Sequence, residues 1–146
     1  MVTGKRFRPQ HLTGPQQILH MQAKFPNFRA ASNRGKWVQW TGPLKPTAIS
    51  VTYTVQITYE MPNRPEIRVL SPELKPRLDC DRIPHVFSEN KLCVHQAHEW
   101  SGRKILAMTI VPWISAWLYF YEIWYATGLW LGEGTHPDLP QHRSVA

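Results

Sequence analysis

The chain of 146 residues contains only two cysteines, Cys80 and Cys93. Small domains held together by disulfides carry several cysteine pairs, so this low number argues against a disulfide scaffold. The basic stretch at residues 5–8 is not followed by an apolar run of signal-peptide length. We therefore predict a cytoplasmic protein in which both thiols are free.

Acidic residues are missing from the first part of the chain. Residues 1–59 carry eight Lys or Arg and no Asp or Glu, whereas residues 60–146 carry nine basic and ten acidic residues. Charge of one sign steers association with a partner of the opposite sign, but it also serves as a solvated face. Nucleic acid is not the predicted partner, because the basic residues are scattered and no nucleic-acid-binding motif accompanies them. The N-terminal half is expected to be either a docking surface for an acidic partner or a solvated basic face.

Phosphate-binding and serine-hydrolase motifs are also absent. The sequence contains neither a Gly-x-Ser-x-Gly nucleophile elbow nor a Gly-rich phosphate loop. The Gly-Glu-Gly at residues 132–134 is too short to count as such a loop and is typical of a turn. No motif in the sequence therefore supports phosphoryl transfer or serine-based acyl hydrolysis.

One segment has the alternation of a half-buried strand. Between residues 50 and 60, apolar side chains occupy every second position and polar ones stand between them. Shorter candidate strands at residues 36–40 and 66–70 flank this segment, and Gly42-Pro43 is predicted to lie in the turn after the first of them. Short connections of this kind favour an antiparallel meander.

A short helix is predicted near the N-terminus. Thr13 is a candidate N-cap, Pro15 is tolerated in a first helical turn, and the helix is expected to end before Pro26. The residues predicted to form its apolar side are Ile18, Leu19, Met21 and Ala23.

A second helix follows in the most hydrophobic part of the chain. Residues 105–121 carry no charge, Thr109 is a candidate cap, and Gly128 is a candidate stop. A membrane span is the alternative, but its length is marginal and Pro112 interrupts it. Because aromatic residues recur at helical spacing along two adjacent stripes, we predict a buried core helix and no membrane contact.

Reactive side chains concentrate between the strands and the second helix. Residues 72–92 contain three prolines and no clean period, and Cys93 follows with three histidines close by in the sequence. Cationic or hydrogen-bonding neighbours lower the pKa of a thiol, so Cys93 is a candidate nucleophile. An inert buried thiol is the simpler alternative. Zinc binding is a third, although the spacing between the two cysteines is wide for a structural site. Its candidate ligands are Cys80, Cys93, His95 and His98.

The order of these elements, together with the cysteine segment, resembles the core of ubiquitin-conjugating enzymes. Pro84-His85 stands where that family has the Pro-Asn of its His-Pro-Asn motif, eight residues before the active cysteine, and Leu92-Cys93-Val94 resembles the Ile-Cys-Leu around it. The other matching segments are Trp40-Thr41-Gly42-Pro43, Pro65-Glu66-Ile67-Arg68-Val69, Trp100 and Met108-Thr109-Ile110. The resemblance implies an α+β fold with an N-terminal helix, an antiparallel β-meander, an irregular cysteine-bearing loop and a buried C-terminal helix.

A closer resemblance is to the stand-alone conjugating-enzyme-like proteins of bacterial antiphage signalling operons, the short type II form of CBASS. It covers a domain at residues 13–137, with residues 1–12 predicted as a flexible arm and residues 138–146 as a tail. The segments that carry it are Pro84-His85-Val86-Phe87-Ser88, Leu92-Cys93, Pro112-Trp113, Trp117-Leu118, Tyr121-Glu122-x-Trp124 and Thr127-Gly128-x-Trp130-x-Gly132-x-Gly134-x-His136-Pro137.

The resemblance implies that Cys93 holds a protein C-terminus as a thioester and passes it to an amine, without a cofactor or a metal. The Asn of the family motif is His85 here, its preceding His is Ile83, and no full pair of C-terminal helices follows. An imidazole can donate a hydrogen bond to an oxyanion or accept a proton from a nucleophile, so His85 is the second candidate catalytic residue. His95, His98 and Glu99 are predicted to tune the thiol or, as we favour, to form a solvated edge.

The implied partner is the cGAS-like nucleotidyltransferase of the operon, whose C-terminus would be the acyl group. On the present chain, the candidate surfaces for docking this partner are the basic N-terminal half and the aromatic residues near Trp124 and Trp130. The alternative is a non-catalytic adaptor that binds the nucleotidyltransferase through the same fold. The enzyme hypothesis requires the sulfur of Cys93 to be reachable from water and close to His85.

Overall fold

The structure is a computed structural model that describes residues 11–34, 36–61 and 63–132. Most of the predicted arm, at residues 1–10, and the whole predicted tail, at residues 138–146, lie outside the described residues. The predicted turn at residues 132–134 is described only at Gly132.

The first helix, α1 (Gly14–Lys24), begins where the sequence predicts. Thr13 caps it through a reciprocal pair of hydrogen bonds. The Gln16 N–H donates to Thr13 Oγ1 at 3.3 Å, and the Thr13 N–H donates to Gln16 Oε1 at 2.9 Å. Pro15 lies in the first turn, where a missing N–H costs nothing. Both the predicted cap and the predicted end before Pro26 are confirmed.

The buried side of α1 differs from the predicted apolar side. Leu19 is 66% exposed and Ala23 is also exposed, whereas Met21 is buried and Gln17 is fully buried. Gln17 is tolerated inside because its side-chain amide donates to the carbonyl of Lys104 at 2.9 Å, and its oxygen accepts the N–H of Leu106 at 3.0 Å. A buried polar group costs little when both its donor and its acceptor are paired. The predicted apolar side is therefore confirmed at Met21 and Ile18, which pack on the core, and wrong at Leu19 and Ala23.

Four strands form one antiparallel sheet in the order of the chain. They are β1 (Arg29–Ser32), β2 (Trp37–Leu44), β3 (Tyr53–Glu60) and β4 (Glu66–Ser71). The alternation seen in residues 50–60 is confirmed in β3, where every second side chain from Tyr53 to Tyr59 is buried. β1 was not predicted: it is a four-residue edge strand whose residues are all exposed, so it lacks a buried face to leave a pattern.

The predicted turn at Gly42-Pro43 is wrong, because β2 continues through it to Leu44. A Cβ on Gly42 would lie 2.5 Å from the ring of Phe28, so glycine is what lets that ring pack against the strand. β1 pairs with β2 only as far as Thr41. Pro43 therefore stands beyond the end of the neighbouring strand, where a proline without an N–H is tolerated.

The second helix, α2 (Ile110–Thr127), packs as the core helix that the sequence predicts. It starts after Thr109 and ends at Gly128, whose φ of +82° is the left-handed conformation that glycine adopts at no steric cost. The buried residues of α2 are Ile110, Val111, Ile114, Trp117, Leu118, Tyr121 and Trp124.

The span Leu106–Thr127 is long and apolar enough to cross a membrane, and a stretch of 18 residues within it has a mean hydropathy of 1.3. The same length and composition are found in the core helix of a water-soluble domain. Because the core residues of α2 belong to the same hydrophobic cluster as the buried face of β3, we assign it to the core.

Residues 72–109 connect the sheet to α2 without a regular strand or α-helix, which confirms the irregular segment that the sequence predicts at residues 72–92. They contain three short 3₁₀ turns and one isolated bridge between Val86 and Leu92. The resulting arrangement of helix, meander, irregular segment and core helix is the α+β fold that the resemblance implies.

Candidate functional site

A cleft of about 550 Å³ lies between the irregular segment and α2. Cys93 and His85 both line it, so the two predicted catalytic residues are brought together at one cleft. One side is formed by Arg64 and residues 85–99, and the other by α2 with Trp130. Its full lining is Arg64, His85, Phe87, Cys93, Val94, His95, Gln96, Ala97, Glu99, Trp113, Ala116, Trp117, Phe120 and Trp130.

Cys93 is only partly buried, so its sulfur is not sealed inside the core. Its backbone N–H donates to the carbonyl of His85 at 2.9 Å, which ties the cysteine to the histidine eight residues earlier. The thiol lies 3.7 Å from the carbonyl of His95, within the range of a weak S–H hydrogen bond. Cys93 and His85 are therefore neighbours through their backbones and line the same cleft.

His85 has a backbone conformation that few non-glycine residues adopt, with a φ of +53°. Such a conformation costs about 1–2 kcal/mol and persists only where the surroundings hold it. Here the His85 carbonyl accepts two hydrogen bonds, from the Cys93 N–H at 2.9 Å and from Trp117 Nε1 at 3.1 Å. The helix α2 thus fixes the backbone of His85, and through it the position of Cys93.

The ring of His85 is buried against Trp130, with 4.9 Å between the ring centroids. Trp130 reaches this position because the left-handed Gly128 reverses the chain after α2, and it also packs on Trp117 at 5.4 Å. The two tryptophans do not themselves form the predicted exposed aromatic docking surface, but Tyr125 beside Trp124 is 47% exposed, so a surface near them stays a prediction. Trp124 is buried in the core, and Trp130 is partly buried as a wall of the cleft.

The electrostatics of the cleft favour a neutral thiol in the resting protein. Burial raises the pKa of Cys93, and the negative charge of Glu99 raises it further, whereas the Arg64 guanidinium acts in the opposite direction. Arg64 is held over the ring of Phe87, with its Cζ 5.7 Å from the centroid. A smaller neighbouring cleft of about 280 Å³ also contains Arg64, so this cation lies where the two clefts meet.

His95 contributes differently from what the sequence suggested. It lines the cleft instead of lying on a solvated edge, and burial lowers its pKa. Its Nδ1 is 2.6 Å from the carbonyl of Gln96, and its ring packs on Trp113 with 5.5 Å between centroids. A lowered pKa keeps the imidazole neutral near pH 7, so His95 is not a cationic activator of the thiol.

The other candidates from the sequence separate from one another. Glu99 lines the cleft, whereas His98 is exposed and does not. Within residues 11–34, 36–61 and 63–132, no three His, Cys, Asp or Glu side chains are grouped to hold a metal ion, so the described residues give the zinc alternative no site.

Sequence reasoning missed two residues that shape the site, Arg64 and Trp117. Arg64 lies in the connection between β3 and β4, 29 positions before Cys93, and carries no motif that marks it. Trp117 was assigned to an aromatic stripe and to a segment that carries the resemblance, but not to the site, since a core tryptophan and a tryptophan that binds a distant carbonyl leave the same periodic pattern. Only the contact between α2 and the irregular segment distinguishes the two roles.

A family model described as Type II CBASS E2 protein matches residues 17–137, more than half of the chain. No curated protein matches the chain. The matched range contains both Cys93 and His85, together with all the helices and strands from β1 to α2.

Proposed function

The chain belongs to the family of type II CBASS E2 proteins, and from that premise we propose that it is a transferase that carries an acyl group on Cys93. The observation that supports this most directly is a partly exposed cysteine in a cleft, joined through its backbone N–H to a histidine that lines the same cleft. Membership of a CBASS system supports a protein partner from the same operon. The finer identity of that partner, the cGAS-like nucleotidyltransferase, is part of the proposal.

The proposed chemistry is acyl transfer in two steps. The Cys93 thiolate attacks an activated carbonyl at the C-terminus of the donor protein, forms an S–C bond and expels the activating group, which leaves with its electron pair. An amine then attacks the thioester, the C–S bond breaks, and the sulfur recovers a proton as the amide forms. Two such steps each have a lower barrier than direct attack on the carbonyl.

His85 is proposed to stabilise the oxyanion that forms at the acyl carbon. Preorganised donors of this kind lower the activation free energy by about 3–4 kcal/mol. The contacts of its backbone support this role, because a residue held by two hydrogen bonds at its carbonyl needs little reorganisation during the reaction. The alternative role, proton acceptance from the attacking amine, uses the same imidazole.

The docking of the partner is proposed to involve the basic face of the N-terminal half. The basic residues described before position 60 are all exposed, and Arg29 and Arg34 lie at or beside the edge strand β1. An acidic surface on the donor protein would be steered towards this face. A cytoplasmic location, where the thiol stays reduced, fits this chemistry.

The function is tested by mixing the protein with the candidate nucleotidyltransferase and its activating components and measuring intact masses. We expect an adduct that thiols reverse, which persists in Cys80→Ser and is absent from Cys93→Ala. Cys80→Ser is the matched control because it removes the other thiol and leaves the cleft intact. An adduct that survives in Cys93→Ala, or the absence of any adduct from the wild-type protein, would contradict the proposal.

Two variants at position 85 separate the possible roles of the histidine. His85→Ala is expected to accept the acyl group and to discharge it slowly. His85→Asn keeps a side-chain N–H donor and suits the left-handed backbone, so it should restore discharge if His85 stabilises an oxyanion. If Asn fails to restore it, proton acceptance is the better role, and full transfer by His85→Ala would remove the residue from the mechanism.

A non-catalytic adaptor is the second candidate function, and one observation favours it. Burial raises the pKa of Cys93, which makes the thiol less reactive at neutral pH. An adaptor would bind the nucleotidyltransferase equally well as wild type and as Cys93→Ala, and neither would form an adduct. A binding measurement on both proteins beside the mass measurement therefore distinguishes the two functions.

A further inference from the structure

We propose that the aromatic side of the cleft selects an acyl donor whose last three residues include a large apolar side chain. This inference rests on the proposed function, because it concerns the acyl group that Cys93 accepts. It adds the substrate class: a C-terminal tail recognised by a bulky side chain, and not one made only of small residues.

The walls of this side of the cleft are rings that support one another. Trp130 packs edge-on against Trp117 with centroids 5.4 Å apart, and Phe120 lies 6.1 Å from Trp130. Because Gly128 reverses the chain to bring Trp130 back over α2, these rings come from two elements and form a concave surface. An apolar side chain that enters this surface is removed from water on several sides at once.

Ala116 creates the space between the rings. On α2, residues 113, 116, 117 and 120 recur at helical spacing and share one face, and all four line the cleft. Three of them are aromatic, and the fourth has only a methyl group. The short side chain of Ala116 leaves a gap that a ligand side chain can occupy.

The polar groups of the cleft come from elements other than α2, and one of them, His95, also packs on Trp113 of that helix. Arg64, His95 and Glu99 come from the β3–β4 connection and the irregular segment, as does Cys93. A donor tail bound at Cys93 therefore has polar partners for its backbone and aromatic rings for its side chains. In an extended peptide, alternate side chains point in opposite directions, so one or two of the last three residues face the rings.

The volume also exceeds what a tail of small residues needs. About 550 Å³ is within the range of sites that enclose a drug-sized ligand. A tail of glycines would leave the partly exposed rings of Phe120 and Trp130 in contact with water, whereas a bulky apolar residue would cover them.

The experiment uses synthetic peptides whose C-terminus is activated as a 2-mercaptoethanesulfonate thioester. Cys93 attacks the thioester carbonyl, mercaptoethanesulfonate leaves, and the peptide remains on Cys93, so no enzyme or cofactor is needed. Four donors are compared: an all-glycine tail and three tails with one Phe at the last, second-last or third-last position. The rate is followed by intact mass on full-length protein that carries Cys80→Ser.

At least one Phe donor is expected to react about tenfold or more faster than the glycine donor, as the transfer of a large apolar side chain out of water predicts. In Ala116→Phe the gap is filled, and the ratio of the two rates should fall towards one. Ala126→Phe is the matched control, because Ala126 is exposed on the same helix and is not among the residues lining the cleft. It should retain the wild-type ratio.

The outcomes separate the inference from the function. Equal acylation rates for all four donors in the wild-type protein would overturn the inference. An unchanged preference for the Phe donor in Ala116→Phe would also overturn it. Either result would leave acyl transfer to Cys93 intact. If no donor acylates Cys93, the proposed function fails, and the substrate class falls with it.

Discussion

The four-stranded sheet and the irregular segment of residues 72–109 are stabilised in different ways. In the sheet, each strand pairs along its length, and a continuous row of buried side chains from β2, β3 and β4 faces α2 and its neighbours. The irregular segment has no such regular strand pairing, and single hydrogen bonds to distant residues hold it in place. Many equivalent contacts therefore maintain the sheet, whereas a few specific ones maintain the site.

Three contacts illustrate how the irregular segment is anchored to α2. The Tyr121 hydroxyl donates to the Lys75 carbonyl and accepts the Lys75 N–H, both at 3.0 Å. Arg77 donates to the last carbonyls of α2, at Trp124 and Tyr125. Trp117 donates to the His85 carbonyl. The site therefore depends on α2 for its geometry even though its reactive residues lie outside that helix.

The largest effect on stability is expected from the sheet. Ile57 is fully buried at the centre of β3, where it pairs with Trp40 and Ile67. Ile57→Ala should lower the free energy of unfolding by about 2–5 kcal/mol, because it removes buried methyl groups and leaves a cavity. Chemical denaturation measures this loss. Ile49→Ala is the matched control, since Ile49 is 97% exposed and the same truncation should change little.

A smaller effect on stability, but a selective effect on the site, is expected from Trp117→Phe. The change removes the N–H that holds the His85 carbonyl and should cost about 1–2 kcal/mol. It should also slow the acylation of Cys93, because the backbone of His85 loses one of its two supports.

The control is Trp100→Phe, which makes the same change at a buried tryptophan. Its Nε1 has no partner among the residues that the structure describes, so no hydrogen bond is lost. Trp100→Phe should leave the acylation rate near that of the wild type. If both variants slow acylation equally, the hydrogen bond from Trp117 to the His85 carbonyl would not be what supports the site.

The smallest effect is expected from Arg64→Gln, at the place where a turn of the sheet contacts the site. Burial is the main cause of the raised pKa of Cys93, and Arg64 opposes it. Removing this charge should raise that pKa further, so the alkylation rate of Cys93 by iodoacetamide should fall at every pH below it. Folding stability should be nearly unchanged.

The pH profile of alkylation, measured in a Cys80→Ser background, checks this prediction. Arg64→Lys should restore the profile in part because it restores the charge. Arg68→Gln is the matched control, since Arg68 pairs with Glu89 and does not line the cleft. A shift of the Arg64→Gln profile to lower pH would show that this residue does not favour the thiolate.

Local patterns in the sequence predicted most of the regular elements, and the resemblance pointed to the candidate site. The alternation of residues 50–60 predicted β3, and Thr13 and Gly128 predicted the ends of two helices, because each signal depends on neighbours within one turn or one strand. The spacing of His85 and Cys93 was also visible in the sequence, and so was the resemblance to conjugating enzymes. These predictions needed no knowledge of which residues meet across the fold.

Only the tertiary structure decided what surrounds the sulfur. The left-handed backbone of His85, the indole that holds it from 32 residues away, the return of Trp130 over α2 and the approach of Arg64 all depend on contacts between distant parts of the chain. The burial of Gln17 in place of Leu19 has the same origin. The buried polar side chain forms hydrogen bonds with the carbonyl of Lys104 and the N–H of Leu106, which lie far away in the sequence. Periodicity describes how one element divides between core and solvent, and it carries no information about which groups a neighbouring element presents.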